Sequence, residues 1–88
     1  MDISVVVPLF NEAESLPELC NWIKRVMEQN HFSYEIIMVD DGSTDNSWDV
    51  IQKLRNNNPY IKGIKFQRNY GKSAALNEGF RIAKGEIV

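Results

Sequence analysis

The chain reads as an α/β domain in the order βαβαβαβ, a three-layer sandwich in which helices cover both faces of a parallel sheet. Two observations predict this. Short apolar runs rich in β-branched residues alternate with longer segments whose apolar residues recur at helical spacing. The run Ile36-Ile37-Met38-Val39 is apolar on both faces, which suits a strand buried inside a parallel sheet.

Ile3-Ser4-Val5-Val6-Val7-Pro8 is the first predicted strand, stopped by proline. The polar stretch Asn11 to Ser15 follows. Ser15 is placed to cap a helix, with Pro17 in its first turn and Glu18 three residues on as a capping box. Leu16, Leu19, Ile23, Val26 and Met27 carry that helix to about Gln29. Tyr34 to Asp40 is the second strand. Ser43 or Thr44 is placed to cap a second helix with an inner face of Trp48, Ile51 and Leu54, closed by Asn56-Asn57-Asn58-Pro59. Tyr60 to Gln67 is a third strand, with Ile64 and Phe66 alternating against Lys65 and Gln67. After the loop Arg68 to Lys72, a third helix spans Ser73 to Ala83, with Gly85 as its terminating residue. Glu86-Ile87-Val88 reads as the start of a fourth strand, so the chain is expected to be part of a larger domain.

Composition narrows the function classes. The 88 residues suffice for one small domain or a piece of one, and 43% hydrophobic content permits a modest core. A net charge of −2, with ten scattered Lys and Arg, gives no electrostatic footprint for nucleic acid. No run approaches transmembrane length, and the first residues do not resemble a signal peptide. The single cysteine, Cys20, excludes an internal disulfide and fits a reducing, cytoplasmic compartment; its helical setting makes it a core residue rather than a reactive one. His31 is alone and suits a helix end rather than a metal site. Trp48 belongs to a core stripe, whereas Trp22 falls off the stripe of its own helix.

Ligands of open α/β sheets bind at the carboxyl ends of the strands. Three polar segments converge there: Pro8-Leu9-Phe10-Asn11-Glu12, Asp40-Asp41-Gly42-Ser43-Thr44-Asp45, and Arg68 to Gly79. No GxGxxG follows the first strand and no GxxxxGK[ST] occurs, so neither a dinucleotide fold nor a P-loop is indicated. Adjacent Asp40 and Asp41 diverge on a strand and are not by themselves a metal site.

Taken together and in this order, these segments resemble the N-terminal, Rossmann-like nucleotide-binding portion of a family 2 glycosyltransferase of GT-A fold. They are similar in particular to the polyprenyl- and dolichyl-phosphate sugar synthases. The resemblance runs from Ile3 to Val88. It implies a nucleoside-diphosphate sugar as donor, an acceptor saccharide or polyprenyl phosphate, and transfer with inversion. Pro8, Phe10 and Glu12 match the loop lining the nucleoside pocket. Phe10 either stacks beside a base or plugs the core; Glu12 either accepts from the ligand or caps a helix. Asp41 matches the carboxylate that accepts from the base's N–H, and Asp40 either joins it or braces the loop. Lys72 matches a cation facing the diphosphate, the alternative being a solvated loop lysine. Gly71 is expected to adopt positive φ or a close backbone approach. Ser43, Thr44 and Asp45 are turn formers. Asn77 and Gly79 suit helix–sheet packing equally well.

The resemblance places the D-x-D motif that holds Mg²⁺ or Mn²⁺, and the catalytic base, beyond residue 88. No catalytic or metal-binding residue is therefore assigned within the chain. The whole enzyme would work in the cytoplasm, or on the cytoplasmic face of a membrane if it carries membrane helices. Two other readings compete: a phosphoacceptor domain of flavodoxin-like topology, and a non-catalytic interaction module. The first is disfavoured because its acidic pair would follow strand one. An exposed sheet edge would promote self-association.

Overall fold

A computed structural model describes residues 1–85. Three strands, β1 (Ile3–Leu9), β2 (Tyr34–Asp40) and β3 (Ile61–Lys65), alternate with helices α1 (Leu16–Gln29), α2 (Ser47–Asn57) and α3 (Lys72–Ile82). The strands pair in parallel in the order β1-β2-β3, with Val5 opposite Ile36 and Ile36 opposite Ile61. The fourth strand expected from Glu86 lies outside the described residues.

Every residue of β2 is buried, as its two-sided apolar run requires. Strand alternation divides the core in two. Tyr34, Ile36 and Met38 pack with Leu16, Cys20 and Ile23 of α1 and Ile51 of α2. Ile37 and Val39 pack with Ala75 of α3 on the opposite face. The three-layer expectation holds. Burial raises the Cys20 thiol to about 11, so it stays protonated and inert at neutral pH. Trp48 packs against the first cluster, whereas Trp22 is 55% exposed and belongs to no core.

Several element ends differ from expectation, each for a local reason. Pro8 does not stop β1, which continues to Leu9. The Leu9 carbonyl accepts from the Asp41 N–H, so the preceding residue turns its backbone away from β2, where a missing N–H costs no ladder bond. Ser15 makes no capping bond; its hydroxyl donates instead to Glu12 Oε2 at 3.1 Å. Neither Ser43 nor Thr44 caps α2, which begins later, at Ser47. The N-cap is Asn46, without a side-chain cap bond; Asp45, just before it, accepts the Ser47 N–H at 2.9 Å and hydroxyl at 2.5 Å through Oδ1. His31 closes α1 through its backbone rather than its charge. With φ of 58°, it donates to the Glu28 carbonyl while Phe32 donates to Met27, a Schellman ending. Strand β3 is shorter than the apolar alternation suggested, and α3 starts at Lys72. Gly85 does not terminate α3, whose C-cap is Ala83; it lies against β1 instead.

Candidate functional site

The loops at the carboxyl edge are bound to one another before any ligand is considered. Asn11, at φ 54°, turns its side chain toward the β2–α2 loop. Its Oδ1 accepts from the N–H of Thr44 at 2.8 Å and of Asp45 at 3.2 Å. The Asn11 N–H donates to Ser43 Oγ at 2.9 Å, and the Glu12 N–H to Ser47 Oγ at 3.0 Å. Ser43, Thr44 and Asp45 are thus joining groups between loops. Asn tolerates the left-handed region and carries an amide acceptor, which is the physical reason for Asn at this turn.

The acidic pair divides by direction. Asp41 is 5% exposed, and its Oδ1 and Oδ2 accept the N–H groups of Tyr70 and Gly71 at 2.8 and 3.0 Å. It therefore ties β2 to the loop that opens α3. Gly71 supplies the conformation, with φ of 101°, and nothing crowds a Cβ there. Gly42 supplies the close approach. At φ 75°, any Cβ would overlap the backbone of Arg68 and Asn69. Asp40 is 1% exposed; its Oδ1 accepts the Ser43 N–H at 2.8 Å, while its Oδ2 has no partner. The β3–α3 loop is further shaped by Tyr70, edge-on to Phe66 at 5.6 Å and covered by the Arg68 guanidinium at 4.8 Å.

Between these loops lies a cleft of about 270 Å³ lined by Pro8, Leu9, Phe10, Glu12, Asp41 and Lys72. Five of the six residues singled out from sequence thus share one cavity, and Asp40 does not line it. Phe10 is 43% exposed, so it is not a core plug. Lys72 is exposed at the first position of α3. The cleft offers an aromatic face, two carboxylates and one cation, a set able to hold a flat ring at one end and an anion at the other. Sequence reasoning missed Asn11 and Gly42, which build the cleft without lining it. A wider groove on the outer face of α1, lined by residues such as Glu18, Trp22 and Arg25, brings no second element to bear.

The described residues do not form a metal cage. No group of three or more His, Cys, Asp or Glu gathers among them, and both Asp41 oxygens already accept backbone N–H groups. No helix among them is long and apolar enough to cross a membrane.

Comparison with known proteins gives a consistent result. The model of the family described as "Glycosyl transferase family 2" matches residues 4–88. An undecaprenyl-phosphate 4-deoxy-4-formamido-L-arabinose transferase of Pseudomonas syringae is 41% identical over 98% of the chain and 26% of the relative. The corresponding transferase of Proteus mirabilis is 40% identical over 98% of the chain and 27% of the relative. Among solved structures, Staphylococcus aureus TarS 1-349 in complex with UDP-GlcNAc superposes with a TM-score of 0.81 at 29% identity, over 100% of this chain and 25% of that one. The mannosyltransferase PcManGT of Pyrobaculum calidifontis, in complex with GDP-Man and Mn²⁺, gives 0.76 at 28% identity, over 97% of this chain and 25% of that one. The chain spans about a quarter of the length of these relatives. Its layers are those of the N-terminal region of a GT-A glycosyltransferase domain. Sequence, fold and loop geometry agree, and the chain belongs to glycosyl transferase family 2.

Proposed function

We propose that the chain is the nucleotide-binding portion of an inverting glycosyltransferase, and that the cleft holds the nucleoside diphosphate of a sugar donor. The observation that carries this reading is the convergence of three loops on one cavity with Phe10, Glu12, Asp41 and Lys72 in its walls. Phe10 offers a base an exposed ring, with Pro8 beside it. Asp41, held in place by two N–H donors, keeps lone pairs for an N–H of the base, and Glu12 accepts from the ribose or the base. Asp40 supports them from behind. Lys72 faces the diphosphate, where a fixed cation favours charge developing on the leaving group. The sugar passes to an acceptor saccharide hydroxyl or a polyprenyl phosphate, at the cytoplasmic side of a membrane in the latter case. A divalent cation, Mg²⁺ or Mn²⁺, would neutralise the diphosphate in the whole enzyme; the described residues supply no ligand set for it.

Titration of UDP and GDP into the chain, followed by calorimetry and amide chemical shifts, tests the reading. Asp41→Ala is a poor probe because it also frees the α3 loop. Phe10→Ala and Glu12→Gln alter exposed side chains and leave the fold intact. Loss of a stacked ring costs about 1–3 kcal/mol, so Phe10→Ala should weaken the preferred nucleotide at least fivefold. Absence of binding by either nucleotide, or affinity indifferent to both substitutions, would overturn the proposal.

A further inference from the structure

A second polar cluster lies at the opposite end of the sheet, where the nucleotide reading gives it no part. Glu35 of β2 is 1% exposed, and Ser4 of β1 is fully buried. One carboxylate oxygen of Glu35, Oε2, accepts the Ser4 hydroxyl at 2.5 Å and the Lys84 N–H at 2.7 Å. The other, Oε1, meets the Lys62 ammonium of β3 at 2.7 Å. Ser4 Oγ, having donated its proton, accepts the Gly85 N–H at 2.7 Å. Gly85 fits because it lacks a side chain: a Cβ would stand 2.5 Å from Ser4 N and 2.7 Å from Ile3 C.

Burying a carboxylate is costly unless it is paired and hydrogen-bonded. Here the donors come from the two strands that flank β2 and from the backbone just past α3. That last contact is the informative one. Core packing alone would be served by an apolar residue at position 35, as at Ile37 and Val39 on the same face. Only an acceptor at this position can hold the Lys84 amide. The outer edge of β1 pairs with no other strand among the described residues, and Lys84 and Gly85 lie against its first residues.

We infer that Glu35 and Ser4 form a latch that holds the exit of α3 against the outer edge of β1, and so fix the point from which the backbone returns from the helical layer to the sheet. Both are positioning residues. Glu35 lies roughly 20 Å along the chain direction of β2 from Asp41 in the cleft, at about 3.3 Å per residue. The latch is independent of the nucleotide reading, and its test needs no ligand.

Residue-resolved amide hydrogen exchange on the chain reads the latch directly. In the wild type, the Lys84 and Gly85 amides should be protected although they follow the helix end. Glu35→Leu, which removes the acceptor, should speed exchange at Lys84, and Ser4→Ala at Gly85, each at least tenfold. Gly85→Ala should release both. Ile37 and Val39 amides, in the middle of β2, should change less than twofold in Ser4→Ala. Fast exchange at Lys84 and Gly85 in the wild type would overturn the inference. So would unchanged protection in Glu35→Leu and Ser4→Ala, or acceleration spread evenly over the sheet, which would mean a general loss of stability.

Discussion

The two ends of β2 bury carboxylates in opposite ways. At the amino end, Glu35 has a cation, a hydroxyl and a backbone N–H on its oxygens. At the carboxyl end, Asp40 keeps one oxygen without a partner and Asp41 accepts only backbone N–H groups. Neither aspartate forms an ion pair among the described residues. One end is electrostatically closed and the other is left open. Tyr34, which opens β2, also buries a hydroxyl without a partner, so the two ends differ in how their carboxylates are paired rather than in whether every buried polar group is satisfied.

The largest expected effect breaks the open end. Gly42→Ala places a Cβ at φ 75° into the backbone of the α3 loop. Strain at that φ and displacement of the loop, with both Asp41 bonds at risk, should cost about 3 kcal/mol. Urea denaturation should show it as a lower midpoint. Nucleotide binding should be lost, while the Lys84 and Gly85 amides keep their protection in the folded population. A stable variant with intact binding would mean that the close approach at Gly42 is not needed.

The next effect titrates the closed end. Burial pushes the Glu35 carboxyl up, but Lys62, Ser4 and the Lys84 N–H outweigh it and hold its pKa at about 2, against an ordinary 4.5. A carboxyl depressed in the folded state stabilises above its unfolded pKa, and that stability fades as pH falls through the folded value. Between about pH 4.5 and 2, Glu35 should therefore surrender about 2–3 kcal/mol, discounted for the partly exposed Lys62. Other acidic groups titrate in the same window, so the measurement is the difference between wild type and Glu35→Gln in urea midpoint across pH. The variant should be the less stable at neutral pH, with a shallower acid limb. Parallel curves would remove Glu35 from the acid response.

Both ends show what could and could not be read from sequence. The two-sided apolar run of β2, the helical stripes and the parallel alternation were legible because hydrophobic periodicity is a local signal. The cleft residues were legible through the resemblance of three loop segments to a known family. Asn11 and Gly42 were not, because their roles lie in contacts with loops more than 25 residues away. Glu35 was invisible as a latch for the same reason: its partners at positions 4, 62 and 84 share no local pattern. Trp22 was only half legible. Its departure from the buried stripe showed in the spacing, but its exposure needed coordinates.

The smallest effect on stability is the most discriminating for function. Lys72 occupies the first position of α3, and no acidic residue stands in that first turn. A cation there opposes the positive end of the helix dipole, at a cost of about 0.3–1 kcal/mol. Lys72→Gln should therefore leave the fold intact and raise stability by about 0.3 kcal/mol in low salt. If Lys72 faces a diphosphate, the same substitution should weaken UDP or GDP about tenfold, in keeping with about 1.4 kcal/mol for one charge-assisted contact. Uridine or guanosine, lacking the phosphates, should bind variant and wild type alike. A lysine that served only solubility would show the gain in stability without the selective loss of nucleotide. The pairing of a small gain with a specific loss is what identifies a residue placed for a ligand against the preference of its own helix.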